Sequence, residues 1–169
     1  VEELISEFSL ERVGKSGEKF DPEKTKWFNQ QHLRLKSNNE LANMIMEFSD
    51  WDVSIDYIEA VAELMKERAS FTSELLADDY FFISPKSYDE KTFRKKWKES
   101  SGKIMTDLFK ELEKDPEFSS EPIENIFKNF ITERVIGMGV VLPCRRLILT
   151  GIGMGPSVFA IASLLGKQE

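Results

Sequence analysis

The sequence predicts an all-α protein built from two consecutive helical subdomains. Three observations carry that expectation. Apolar residues recur at helical spacing through most of the chain, helix-start signals precede those runs, and only residues 146–150 have strand character. A short strand without a partner would leave its backbone groups unpaired, so 146–150 reads as the end of a helix that stops at Gly151.

The elements follow in order. Asp21 is placed to cap a helix that opens on Pro22, with Glu23 in its first turn and Trp27, Phe28 and Gln31 at helical spacing. Ser37 and Glu40 have the spacing of a capping box before "LANMIMEF". Ser54 caps the next helix, where Ile58, Val61 and Met65, widened by Ala62 and Leu64, form one apolar stripe. Ser87 and Glu90 repeat the capping-box spacing before a basic helix that runs through Trp97. Beyond Gly102, Ile104, Met105, Leu108, Phe109 and Leu112 line another helix. Residues 115–122 read as a linker, and Ile123, Ile126, Phe127, Phe130 and Ile131 as the apolar face that follows it. Gly155 and Pro156 open the last helix and Gly166 closes it. The clearest break is "YFFISPKSY", where an aromatic run meets Pro85; it divides the chain into 1–84 and 85–169.

Composition excludes several classes of function. The 169 residues hold one cysteine, Cys144, and one histidine, His32, which rules out a disulfide framework and any ordinary His/Cys zinc site. Ser-His-Asp or Cys-His chemistry would need His32 as its base, and beside "WFNQQ" it reads as a packed or surface residue. No apolar run approaches the ~18–20 residues that span a bilayer. The opening "VEELISEF" has no secretory pattern and no initiator Met, so a piece of a longer cytoplasmic chain is expected. The net charge of −7 argues against a nucleic-acid partner until its distribution is considered. Residues 12–36 carry a net +4, 86–110 another +4 and 134–169 a net +3, whereas 40–79 carry −9. Such alternation suits basic faces turned to phosphate and acidic faces turned to water.

The motifs thin out on inspection. Gly151, Gly153 and Gly155 suggest a dinucleotide turn, but the third position of G-x-G-x-x-G is Pro156 and no second strand follows. "GKS" at 14–16 fails as a phosphate loop because position 9 is Ser. The pairs Asp50/Asp52 and Asp78/Asp79 lack catalytic partners and read as surface. What remains is the pair Arg145–Arg146 beside the glycines, Arg68 at the end of an acidic helix, and basic, aromatic-interleaved helices at 24–36 and 91–98. Arg68 has a plain alternative, ion pairing with Glu67 or Glu74; the arginine pair has another, neutralising a helix C-terminus.

These residues carry a resemblance. "FSLERVGKSGEKFDPEKTKWFNQQHLR" at 8–34, "LMKERASFTSELLADDYFF" at 64–82 and "VVLPCRRLILTGIGMGPSVFAIASLLGK" at 140–167 resemble, in order, the stretch after the catalytic domain of bacterial glutamyl-tRNA synthetases. The resemblance implies the all-helical anticodon-binding cage of such an enzyme, without the HIGH and KMSKS signatures of its class I catalytic half. No cofactor is expected in this piece; ATP with Mg2+ belongs to that catalytic half. The implied partner is glutamate tRNA, with no membrane, and the implied parent is a monomer. Arg68 then stands where the family reads the third anticodon base, a cytosine. Arg146 stands at the family's base-contacting arginine, and Gly155, Pro156 and Val158 at the turn and helix start of the base pocket. Where the family has Pro-Leu before that arginine this chain has Cys144-Arg145, so either Arg145 or Arg146 faces the RNA. On this reading the glycines bring backbone close to a base and leave the last helix's N–H groups open to RNA oxygens. The competing class is a helical protein–protein interaction module without RNA binding, its apolar patches docking a partner.

Overall fold

The computed structural model describes residues 2–12 and 20–167. Among them every regular element is helical. The α-helices are α1 (Glu2–Glu7), α2 (Pro22–Leu35), α3 (Asn38–Met46), α4 (Ile55–Met65), α5 (Glu90–Lys96), α6 (Ser101–Leu112), α7 (Ser120–Glu133), α8 (Met138–Thr150) and α9 (Val158–Leu165). Short 3-10 turns lie at Leu10–Arg12, Thr72–Leu76 and Asp79–Phe81. "GKS" at 14–16 lies outside the described residues.

Three helices start where their caps predict. Asp21 accepts from the Glu23 and Lys24 N–H groups at 3.0 and 3.2 Å. Ser37 and Glu40 form the reciprocal box, with Glu40 N–H to Ser37 Oγ at 3.1 Å and Ser37 N–H to Glu40 Oε2 at 2.8 Å. Ser54 Oγ accepts from Tyr57 N–H at 3.2 Å. The start of α5 differs from the expectation. Its cap is Asp89, accepting from Lys91 and Thr92 N–H at 2.9 and 3.2 Å, not Ser87. The supposed linker also ends early, because α7 already begins at Ser120. Likewise α9 begins at Val158 behind a Ser157 cap, which leaves Pro156 in the turn before it.

Residues 146–150 are the last turn of α8, and their apolar, partly β-branched run reflects burial rather than strand pairing. That helix stops because Gly151 adopts φ 72°, its N–H donating to Leu147 O at 2.8 Å. An added Cβ would lie 2.5 Å from the Ser87 carbonyl oxygen, so a side chain is excluded by space as well as by φ.

Two apolar clusters form the interior. The first joins Leu33, Leu41, Ile45, Ile58, Val61, Leu75 and Phe81. The second joins Met105, Leu108, Ile123, Phe127, Val141 and Phe159. Helix α9 serves both: Ile161 is fully buried in the first cluster, while Val158, Phe159 and Ala162 belong to the second. Burying a side chain of this size stabilises by ~2 kcal/mol, so Ile161 fastens the end of the chain to α4. By contrast α2 contributes only Leu33 to a core and leaves Trp27 and Phe28 about half exposed, at 54% and 47%. Polar ties hold α2 to the turn after α4: Asn29 Nδ2 donates to Ser70 O, Lys66 Nζ to Lys36 O, and Arg34 Nη2 to Glu67 O at 3.0 Å.

Candidate nucleic-acid interface

The site assembles around Tyr80, which the 3-10 turn at Asp79–Phe81 sets in the first cluster with 6% of its surface exposed. Its hydroxyl donates to Asp78 Oδ2 at 3.0 Å. Arg146 arrives from α8, half-buried, and its Nη2 donates to the Pro156 carbonyl at 2.7 Å. Its Nη1 is buried with no hydrogen-bond partner. Gly155 has φ 152°, and a Cβ there would stand 2.9 Å from Arg146 Nη1 and 3.5 Å from the Tyr80 hydroxyl. A side chain at this φ would be strained and would displace the guanidinium from the corner it shares with the phenol.

Arg68 comes from the turn that ends α4, its N–H donating to Met65 O at 2.8 Å. The carboxylates that were its plain alternative are engaged elsewhere. Glu67 pairs with Arg34 Nε at 2.9 Å, and Glu74 accepts from Ser70 N–H at 2.7 Å. Among the described residues Arg68 makes no ion pair, and its side chain is exposed. Electrostatics links the three groups. Burial, then the neighbouring Asp78 carboxylate, pushes the Tyr80 hydroxyl well above the usual phenol range, while Arg146 and Arg68 pull it back. Burial also lowers the affinity of Arg146 for its proton, with Tyr80 opposing and Arg68 adding to the effect. Both guanidiniums thus act through their charge on one hydroxyl. A cleft of about 250 Å³ opens beside it, lined by Asp78, Tyr80, Pro85, Ser87, Thr150 and Ile152.

A profile of the anticodon-binding domain family matches residues 40–169. The chain belongs to that family. The glutamate–tRNA ligase of Flavobacterium psychrophilum is 44% identical over the whole of this chain, and that of Bacteroides thetaiotaomicron is 38% identical. This chain spans 34% of the length of each. Among solved structures, the glutamate tRNA ligase of Elizabethkingia meningosepticum, in complex with its amino acid, superposes with a TM-score of 0.89 at 34% identity. That match covers 99% of this chain and 34% of that one.

Within this anticodon-binding domain the residues singled out from the sequence divide. Arg146, Gly155 and Pro156 meet beside Tyr80, and Arg68 acts on its hydroxyl through charge alone. Arg145 does neither. It is 1% exposed, its guanidinium 5.5 Å from the Phe159 ring, so of the two arginines only Arg146 reaches the surface. Val158 is also withdrawn: at 2% exposure it packs in the second cluster and offers no apolar surface. Pro156 is buried, and its carbonyl does the holding. The glycine reading changes as well. Gly151 approaches Ser87, and Gly153 approaches Thr92 and Asp89, so both admit protein rather than a base; only Gly155 faces the arginine. The opening N–H groups of α9 are partly taken, since Ser157 Oγ accepts from Ala160 N–H at 3.4 Å.

The basic helices keep exposed side chains: Lys24 lies 5.9 Å from the centre of Phe28, and Arg94 pairs with Glu90 at 2.7 Å along α5. Arg134 lies 4.0 Å over Phe130, and His32 is exposed. Sequence reasoning missed Tyr80 and Asp78 as parts of the site. The only available signal was a tyrosine opening the "YFF" run, and its neighbours become visible only once α8 crosses it.

Proposed function

We propose that this anticodon-binding domain serves a glutamate–tRNA ligase and recognises the anticodon of glutamate tRNA. The observation that carries the reading is the Arg146 guanidinium over Gly155 beside Tyr80, its Nη1 buried and without a partner, with the charge of Arg68 acting on the same hydroxyl. A buried donor left unpaired costs ~1–3 kcal/mol, a deficit that a nucleobase acceptor removes. Arg68 meets the third anticodon base: guanidinium donors suit the O2 and N3 acceptors of cytosine, whereas guanine presents donors on that edge. Arg146, tethered to Pro156 O, meets a neighbouring base. The lysines and arginines of α2 and α5, with Arg134, capture the anticodon arm through its phosphates. In the complete enzyme, a cytoplasmic monomer, a catalytic part binds ATP with Mg2+ and joins glutamate to the tRNA.

Filter binding of glutamate tRNA tests this. Changing the third anticodon base from C to G should weaken binding about tenfold or more, the equivalent of ~1–3 kcal/mol. Equal affinity for both tRNAs removes Arg68 from the role. Salt separates this reading from apolar docking of a protein partner: RNA capture weakens steeply with log[salt], and apolar docking hardly changes.

A further inference from the structure

A cavity of about 250 Å³ lies among residues of α6, α8 and α9. Its walls are mostly apolar, from Phe109, Phe118, Ile148 and Leu149 with Ala162 and Gly166, and the lining also includes Glu113 and Lys167. Arg145 lines it too. This arginine is among the largest fully buried side chains of the protein, and its Nε and Nη1 have no hydrogen-bond partner. Among the described residues it enters no ion pair. The nearby cation is already committed: Lys167 Nζ donates to Glu113 O at 2.5 Å and Asp115 O at 3.0 Å. A guanidinium presents a planar fork of donors, which a carboxylate meets with two parallel hydrogen bonds. Buried charges in proteins are otherwise paired.

We propose that this cavity is a binding site for a small monocarboxylate with a short apolar tail, its carboxylate on Arg145 and its tail among Phe109, Phe118, Ile148 and Leu149. The apolar lining selects such a ligand over a bare oxyanion, which would leave those walls unfilled and its own remaining oxygens without donors. The ring of Phe159 supports the guanidinium from one side. Burial lowers the Arg145 pKa to about 10, which leaves the group charged at neutral pH. The site shares no lining residue with the cleft described beside Tyr80 and asks nothing of tRNA.

Isovalerate is a suitable probe, with sodium chloride at equal ionic strength as the control and inorganic phosphate as a second arm. The wild-type Tm should rise with the logarithm of concentration above the Kd, by roughly 5–10 °C once isovalerate reaches about 100 times its Kd, and chloride should not reproduce the rise. Arg145→Met should abolish it. In the wild-type protein, amide shifts on titration should centre on Leu149, Ala162 and Gly166, a readout that needs no variant. The proposal is overturned by no Tm rise in the wild type, by an equal rise in Arg145→Met, by shifts centred near Tyr80, or by phosphate matching isovalerate.

Discussion

Arg145 and Arg146 are neighbours on one helix and occupy opposite environments. Arg146 leans over the glycine turn, holds one donor on the Pro156 carbonyl and keeps another beside Tyr80. Arg145 turns into the second apolar cluster, where an aromatic ring and a cavity surround it and no carboxylate pairs with it. Adjacent helix positions point about 100° apart, so a step of one residue exchanges a surface cleft for the interior. Charge alone therefore says nothing about which of two arginines meets a partner; the packing of the helix decides.

The contrast can be broken or sharpened by measurement, beginning with the largest expected effect. Gly151→Ala should act on both faces together, since it forces a Cβ toward Ser87 O at a left-handed φ. Backbone strain and overpacking of that kind each cost ~1–3 kcal/mol. Urea denaturation should show a loss of about 3 kcal/mol, along with weakened tRNA binding. Next, Arg146→Ala should lower glutamate-tRNA affinity about ten- to a hundredfold, the loss of hydrogen bonds made by a charged group. Its urea midpoint should stay near wild type, and a large midpoint drop would make Arg146 structural rather than a contact.

Arg145→Met should do the reverse. Replacing an uncompensated buried charge with an apolar side chain of similar volume should stabilise the protein by about 1–3 kcal/mol with tRNA affinity unchanged. A drop in tRNA affinity would show that the two faces communicate. The smallest effect is expected away from both faces, at the Ser37 cap. Ser37→Ala should cost about 1 kcal/mol at neutral pH. The Ser37 N–H and hydroxyl hold the Glu40 carboxyl below its usual pKa. That contribution is present above the unfolded value of 4.5 and is lost as pH falls through the lower folded value. The stability gap between wild type and Ser37→Ala should therefore narrow in acid.

Much of the fold was legible in the residues. Asp21, Ser37 and Ser54 cap their helices as read, because a cap is a contact across two or three residues and the chain carries all of it. The apolar stripes of α4, α6 and α7 supply most of the buried residues expected of them. Legibility ended where a local pattern had two outcomes. At the start of α5, Ser87 and Asp89 both suit a cap; Asp89 prevails, with its own N–H held on Gly151 O at 2.7 Å. In α2 the aromatic residues stayed half exposed, because helical spacing says which residues share a face and not what covers it.

The sequence by itself determined an all-α chain, the positions of most helix ends, and the basic and aromatic segments that supply the proposed nucleic-acid interface. Tertiary structure alone decided that Arg146 reaches the corner of Gly155 and Tyr80, that Asp78 holds the tyrosine's hydroxyl, and that Arg145 turns inward. The physical reason is range. Capping and helical periodicity act over a few residues, whereas the rotation of α8 about its axis is set by two apolar clusters and by α9, which belongs to both.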